Sequence, residues 1–515
     1  MNSIGQVIDT EDAALRWADR LGVQVGGAGT VAQAGVALPR LLADRLGLTE
    51  DLAGVVSRAG FTPVRHRGRA IVDAAAALAA GATCLSDIEA MTSQVELFGP
   101  GGGCSDTTML RVLDELAGRL NGDGLPGRRL ARAQLRARTR AWQAITDRHG
   151  GLPAVRVAGR DLLRQPESPP PASSASASPA LGASSRPVLV VRVDATLIDV
   201  ASDKQRAAGT YKKGWGFHPM TAWCSNVGDA LAVMMRPGNA GSFTASDHLL
   251  VLTAAFGQIP VAHRGDVLVT IDGAGASHEV INYLTALNTA RTHGRRGRRV
   301  EYSIGWPVDT RTLTAIGGLR EHDWGPSLAA DGTVEAGAQV VDLTGVLRTG
   351  LGGDQLGDWP DDLRIFGRRT PRPVGKPAQL GQDPNFEYGA VATNTPGGQV
   401  QQLEARHRTQ AHVEDRIKQF KACGAANLPS IDYARNQAWA QLAALAVTLT
   451  AWLRHTALDG QLAKAATKTL RYRILSAPGR LVSHARTRIL KIPPGWAWAH
   501  DIATAWTRIQ ALHPT

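Results

Sequence analysis

The chain has 515 residues, with 57 Lys and Arg against 45 Asp and Glu and a formal net charge of +12. That length allows about two to four domains and a large core, and the basic surplus points to a polyanionic partner, most often nucleic acid. The four cysteines form no C-x-x-C pair, no charged-then-apolar leader opens the chain, and Leu442 to Leu453 is too short to span a bilayer, so a cytoplasmic protein without zinc, disulfides or a membrane span is expected.

The N-terminal region, residues 1–164, reads as helical. "RAIVDAAAALAAGA" is Ala-rich, and "SDTTMLRVLDELAGRL" opens on a Ser-Asp cap before an apolar face. "GRRLARAQLRARTRAW" carries six arginines from Arg128 to Arg140 and no acid, as a DNA-backbone surface or a solvated helix face would. Residues 165–187 are rich in Pro, Ser and Ala and are expected to form a flexible linker.

Strand signals begin after the linker. Val188 to Leu197, Gly214 to Cys224 and Ala230 to Arg236 predict three strands in succession. The helix "SDHLLVLTAAF", the strand Asp266 to Asp272, the helix "SHEVINYLTAL" capped by Ser277, and the strand Val300 to Trp306 follow. Meandering strands and then strand–helix alternation predict an α/β fold with a mixed sheet. Residues 307–398 read as a β-rich insertion containing "LRIFGRR" and "FEYGAVATN". A strong helix, "QQLEARHRTQAHVEDRIKQFKACG", stops at Gly424. Further helices reach Leu458, and 459–515 is a basic C-terminal region.

The first of these strands alternates strictly. Leu189, Val191, Val193, Ala195 and Leu197 share one face, while Arg192, Asp194 and Thr196 share the other. The fourth strand repeats the pattern, with Thr270 and Asp272 on its polar face. Asp272 stands at the strand's C-terminal end, where ligand sites in such sheets usually lie. Glu414 sits at the edge of the stripe Val413, Ile417 and Phe420, with Lys418 and Lys421 at i+4 and i+7. Three carboxylates without His or Cys suit a hard cation such as Mg²⁺. Taken singly, a strand-end Asp is more often a cap or ion-pair residue, and a helix Glu beside Lys a surface pair. Asp199 has the opposite strand parity from Asp194 and reads as a surface or turn residue.

In their order along the chain these motifs resemble the DDE transposases of bacterial insertion sequences, which carry an RNase H-like catalytic core. "VVRVDAT" resembles the first Asp motif, "LVTIDGAGAS" the second, and "ARHRTQAHVEDRIKQFK" the Glu motif. "MRPGNAGS" resembles the family's strand-three turn. The resemblance runs from about Val188 to Leu458 and continues more weakly at both ends. It implies catalytic core parts at 188–306 and 399–458, separated by the insertion, with the first 164 residues serving DNA binding and dimerisation.

The resemblance also implies chemistry. Asp194, Asp272 and Glu414 would hold two Mg²⁺ or Mn²⁺ ions. A homodimer would bind the terminal inverted repeats of a mobile element, nick them, and join the freed 3′-hydroxyl to target DNA. The family's Tyr–Arg–Glu–Lys signature falls here on His407, Gln410, Glu414 and Lys421, so its first two residues are replaced. His407, Arg408, Gln410, Lys418 and Lys421 are the DNA-binding set this implies, and Trp306, Phe386 or Tyr388 would stack on an unpaired base. A nuclease without strand transfer fits the same residues. A catalytically inactive, transposase-derived DNA-binding protein fits less well, because all three acids are present.

Overall fold

The structure is a computed structural model and describes residues 24–99, 103–164, 186–201, 203–242, 244–289, 297–350, 353–373, 375–377, 383–484 and 487–512. The segments with β-branched, alternating sequence pair into one nine-stranded sheet. Its first five strands are β1 (Leu189–Ala195), β2 (Met220–Cys224), β3 (Ala230–Met234), β4 (Asp266–Ile271) and β5 (Arg299–Trp306). They lie in the order β3-β2-β1-β4-β5, with β2 antiparallel to both of its neighbours and β4 parallel to β1 and β5. This is the RNase H-like mixed sheet that the chain order of motifs implies.

The β-rich insertion is not a separate layer. Its strands β6 (Gly325–Leu328), β7 (Val334–Asp342), β8 (Arg364–Pro371) and β9 (Phe386–Thr393) continue the same sheet beyond β5 in the order β9-β8-β7-β6. β9 pairs antiparallel with β5, Ser303 opposite Thr393 and Trp306 opposite Ala390. An unpaired β5 would expose a row of backbone N–H and C=O groups, and the insertion satisfies them.

Helices α1 (Arg67–Ala80) and α2 (Arg128–His149) precede the sheet. α3 (Ala245–Gly257) and α4 (His278–Ala286) connect its strands, and α5 (Val400–Arg408), α6 (Val413–Phe420) and α7 (Tyr433–Ala457) follow it. Ser277 caps α4 as expected, its hydroxyl accepting from the Val280 N–H. α7 is buried along almost its whole length and packs against the Ala-rich α1, whose small side chains permit the close approach. It reaches the sheet through Gln441, whose Nε2 donates to the Val233 carbonyl at 2.8 Å. No single described helix is long and apolar enough to cross a membrane.

Two buried ionic clusters fix the layers. Asp229, in the β2–β3 turn, accepts on Oδ2 from Arg138 Nε at 2.9 Å and from the indole N–H groups of Trp142 and Trp452 at 3.3 and 3.0 Å. The N-terminal helices are thereby joined to the core. The arginine-rich α2 is therefore only partly a free cationic face. Arg138 is buried on Asp229, and Arg136 and Arg140 both pair with Asp51, leaving Arg128, Arg129 and Arg132 exposed. The linker region falls largely outside the described residues, but its flanks touch. Leu163–Arg164 and Arg186–Pro187 pair antiparallel.

The second cluster centres on Glu301 of β5. It receives Arg164 and Arg299 on one oxygen at 2.7 and 2.9 Å, and Arg406 and the Thr395 hydroxyl on the other at 3.0 and 2.8 Å. Burial pushes this carboxyl up, but Arg406 and Arg164 outweigh it and hold it at about 2. Replacing one partner of a buried ion pair strands the other charge. Glu301→Gln is expected to lower the unfolding free energy by roughly 3 kcal/mol, read as a lower urea midpoint at unchanged m-value.

Candidate active site

β1 and β4 run parallel with Val193 opposite Ile271. Asp194 and Asp272 are the next residue on each strand, so they leave neighbouring strands at the same end. β2 pins the first of them. The Thr221 hydroxyl donates to the Asp194 carbonyl at 2.9 Å and accepts from Trp223 Nε1 at 2.9 Å. The Asp194 carboxylate accepts from the Ala195 N–H at 2.8 Å. Asp272 is exposed and caps the 3₁₀ turn Gly273–Gly275, accepting from the Ala274 N–H at 3.1 Å. Gly305 of β5 makes room for that turn, because a Cβ there would stand 2.6 Å from the Gly273 nitrogen. Glu414 lies in the first turn of α6 with its side chain exposed. α6 is held by buried Val413, Ile417 and Phe420, the expected stripe, and the Phe420 ring meets Trp223 edge-on at 5.9 Å.

The three acids are electrostatically one group. Burial, then the Asp272 charge, then Glu414 push the half-buried Asp194 carboxyl up to about 7, against the hydrogen bond from Ala195. Among the described residues no set of three His, Cys, Asp or Glu side chains is gathered closely enough to hold a metal ion. The donors are all carboxylate oxygens, and the site is short of positive charge. Both properties fit a hard divalent cation.

Beneath the acids a polar row crosses four strands. Arg192 of β1 stands opposite Thr270 of β4, Thr270 opposite Ser303 of β5, and Ser303 opposite Thr393 of β9. The end of α5 and the 3₁₀ turn after it, Thr409–His412, lie over this row. Arg406 donates to the Thr393 hydroxyl at 3.1 Å, and His407 Nδ1 bonds the Ser303 hydroxyl at 3.1 Å. Arg192 donates to Thr409 at 2.9 Å. Gln410 donates to the Val193 carbonyl at 2.9 Å and accepts from the Thr270 hydroxyl.

These bonds decide how the signature positions are used. Gln410 is buried and clamps β1 to β4, one residue before Asp194 and two before Asp272. His407 faces Ser303, and burial lowers its ring to about 4, so it is neutral. The nearby arginines do not replace the missing cation. Arg406 is held by Glu301, and Arg408 by Glu404 at 2.8 Å and Glu335 at 3.0 Å. Lys418 is exposed beside Asp415. Lys421 opens a π-turn ended by Gly424 at φ 100, and burial lowers its ammonium while Asp199 raises it.

The expected single helix is therefore two, broken at Thr409–His412 where Arg192 and Gln410 bind. Of the aromatic residues, Trp306 meets Trp359 at 4.8 Å, and Trp359 stacks on His278 at 3.6 Å. Phe386 lies under the Arg369 guanidinium and Tyr388 beside Trp324. Asp199 is exposed on a short separate strand. Sequence reasoning did not single out Thr221 or Gly305. It placed Arg192 on the polar face, where the structure finds it fully buried.

The mixed sheet thus carries acids at the ends of β1 and β4, with a third on a later helix. Residues 180–514 match the family model described as transposase DDE domain group 1, and the chain belongs to that family. A cryo-EM structure of the piggyBac transposase synaptic complex with hairpin DNA aligns at a TM-score of 0.33 and 7% identity, over 64% of this chain and 59% of that one. This chain thus matches less than two thirds of that protein's length. No curated protein matches the chain.

An unfolded Asp titrates near 3.9, and folded Asp194 near 7. Between those values the native state keeps a proton that the unfolded chain has released, so stability falls as pH rises through that window. In EDTA, Asp194→Asn is expected to melt higher than the parent at pH 8 and to lose that advantage at pH 4. Added Mg²⁺ should raise the melting temperature of the parent at pH 8 and not that of the variant. Differential scanning calorimetry checks both.

Proposed function

We propose that the chain is an active transposase that binds the terminal inverted repeats of a mobile element and catalyses metal-dependent DNA cleavage and strand transfer. The observation that carries this reading is the Asp194 carboxyl held near 7 by burial together with Asp272 and Glu414, at the shared end of β1 and β4. Asp194, Asp272 and Glu414 are the residues that would hold Mg²⁺ or Mn²⁺. Such an ion, when bound, polarises a scissile phosphate and lowers the pKa of an attacking water or 3′-hydroxyl.

The chain's own part is positioning. Asp194 has to release its proton to become a full ligand, so metal binding should release a proton and strengthen as pH rises. Asp272 is presented by a backbone turn and Glu414 by a packed helix, which supports a fixed position for each. Lys418 and Lys421 are assigned to DNA phosphates beside the site, with Arg408 at the flank. His407 and Gln410 serve the same DNA grip from inside, by fixing the helix end that carries these cations. The helices before residue 165 are assigned to repeat binding and dimerisation, supported by exposed Arg128 and Arg132.

The test is cleavage of linear DNA carrying the element's own ends, with Mg²⁺, by the parent and by Asp194→Asn. The parent should nick and then join products to a second DNA, and the variant should be slower by on the order of 10³-fold. Equal nicking by both proteins would sink the mechanism, and nicking without joined products would leave a nuclease. Gly305→Ala should push the Asp272 turn off the sheet and slow nicking by on the order of 10²-fold, while circular dichroism still reports a folded chain.

A further inference from the structure

A cleft of about 930 Å³ is walled by α6, the end of α7 and residues 463–468, with Asp415, Lys418 and Lys421 on its lining. Asp194, Asp272 and Glu414 do not line it. Arg454 does, and is 5% exposed. Its Nη1 donates to the Ala465 carbonyl at 3.1 Å, while its Nε and Nη2 are buried without a partner. Arg416 Nε, also on the lining, is buried without a partner as well.

The two guanidinium groups converge. A Cβ placed on Gly228 would stand 2.7 Å from Arg416 Nη1 and 3.2 Å from Arg454 Nη2, so both heads meet over that glycine. Burial, and then the charge of Arg416, lower Arg454 to about 9. Burial lowers Arg416 too, against the pull of Cys224, Asp415 and Asp229. None of these acids closes the gap. Asp229 Oδ2 is taken by Arg138, Trp142 and Trp452 and its Oδ1 is buried without a hydrogen bond to either arginine, and Asp415 stands at the exposed rim 3.7 Å from Lys418. Lys464 and Lys468 add two exposed cations at the mouth.

Buried like charges with unmet N–H donors are costly unless an outside anion supplies the opposite charge. Guanidinium forks match phosphate oxygens two at a time. We propose that Arg416 and Arg454 form an internal phosphate-binding site, distinct from the carboxylate site, that takes a phosphodiester or a pyrophosphate-like group through the lysine-lined mouth. This site stands whether or not the three acids perform the proposed cleavage.

The test is thermal unfolding of the full chain with sodium pyrophosphate in EDTA. The parent's melting temperature should rise by about 2 °C at a hundredfold excess over Kd. Asp194→Asn should show the same rise, which separates this site from the acids. Arg454→Met and Arg416→Gln should lose it while melting, without ligand, no lower than the parent. Binding of a short DNA duplex then identifies the source. Weakening of about tenfold in Arg454→Met, with pyrophosphate competing in the parent, assigns the site to a DNA strand. Unchanged duplex binding with the pyrophosphate response lost assigns it to a free polyphosphate. The proposal is overturned if the parent does not respond, or if both arginine variants respond as the parent does.

Discussion

The polar row Arg192–Thr270–Ser303–Thr393 is the constraint on which the site depends. Each member is buried and has hydrogen-bonding capacity that its own strand does not use. Leaving one such group unpaired costs about 1–3 kcal/mol, so the row accepts a covering element only in one register. The segment Arg406–Gln410 meets it residue by residue. Four residues beyond Gln410, Glu414 therefore stands in the first turn of α6. Two acids on adjacent strands and a third far along the chain are coupled electrostatically, on elements that hydroxyl, amide and guanidinium contacts tie to one another.

α6 carries charge of both signs. Glu414 in its first turn helps to raise the Asp194 carboxyl, and Arg416, two residues on, meets Arg454 over Gly228. Arg192 is lowered to about 9 by burial and by Arg416. The buried Val413, Ile417 and Phe420 pack the helix that bears both groups, so its place against the core sets where each charge can stand.

Much of this was legible in the chain. Alternation located β1 and β4 and put Asp194 and Asp272 on the same polar face, and the Ser277 cap and the Gly424 stop fell where the residue types predict. What local pattern could not supply were partners distant in sequence. Asp51 and Asp229 neutralise arginines of α2 from 85 and 91 positions away, which turned part of an apparent cationic face into interior. The break at Thr409–His412 has no glycine or proline to announce it, because strand side chains impose it from below. Likewise the insertion's composition announced strands but not that they would extend the core sheet, since edge pairing is a property of β5 and not of the inserted sequence.

One modest pairing changes how motion in this molecule should be pictured. Leu163–Arg164 lies against Arg186–Pro187, and Arg164 is also tied to Glu301. The described residues on either side of the Pro/Ser/Ala stretch are thus fixed to each other and to the sheet. The regions on either side of it cannot swing apart by bending there. Its length is correspondingly free to drift, since doubling such a loop costs only about 0.6 kcal/mol, and repeats could accumulate or vanish there without disturbing the register of the sheet. Any rearrangement around a bulky ligand has to come from the packed surfaces of α1, α2 and α7.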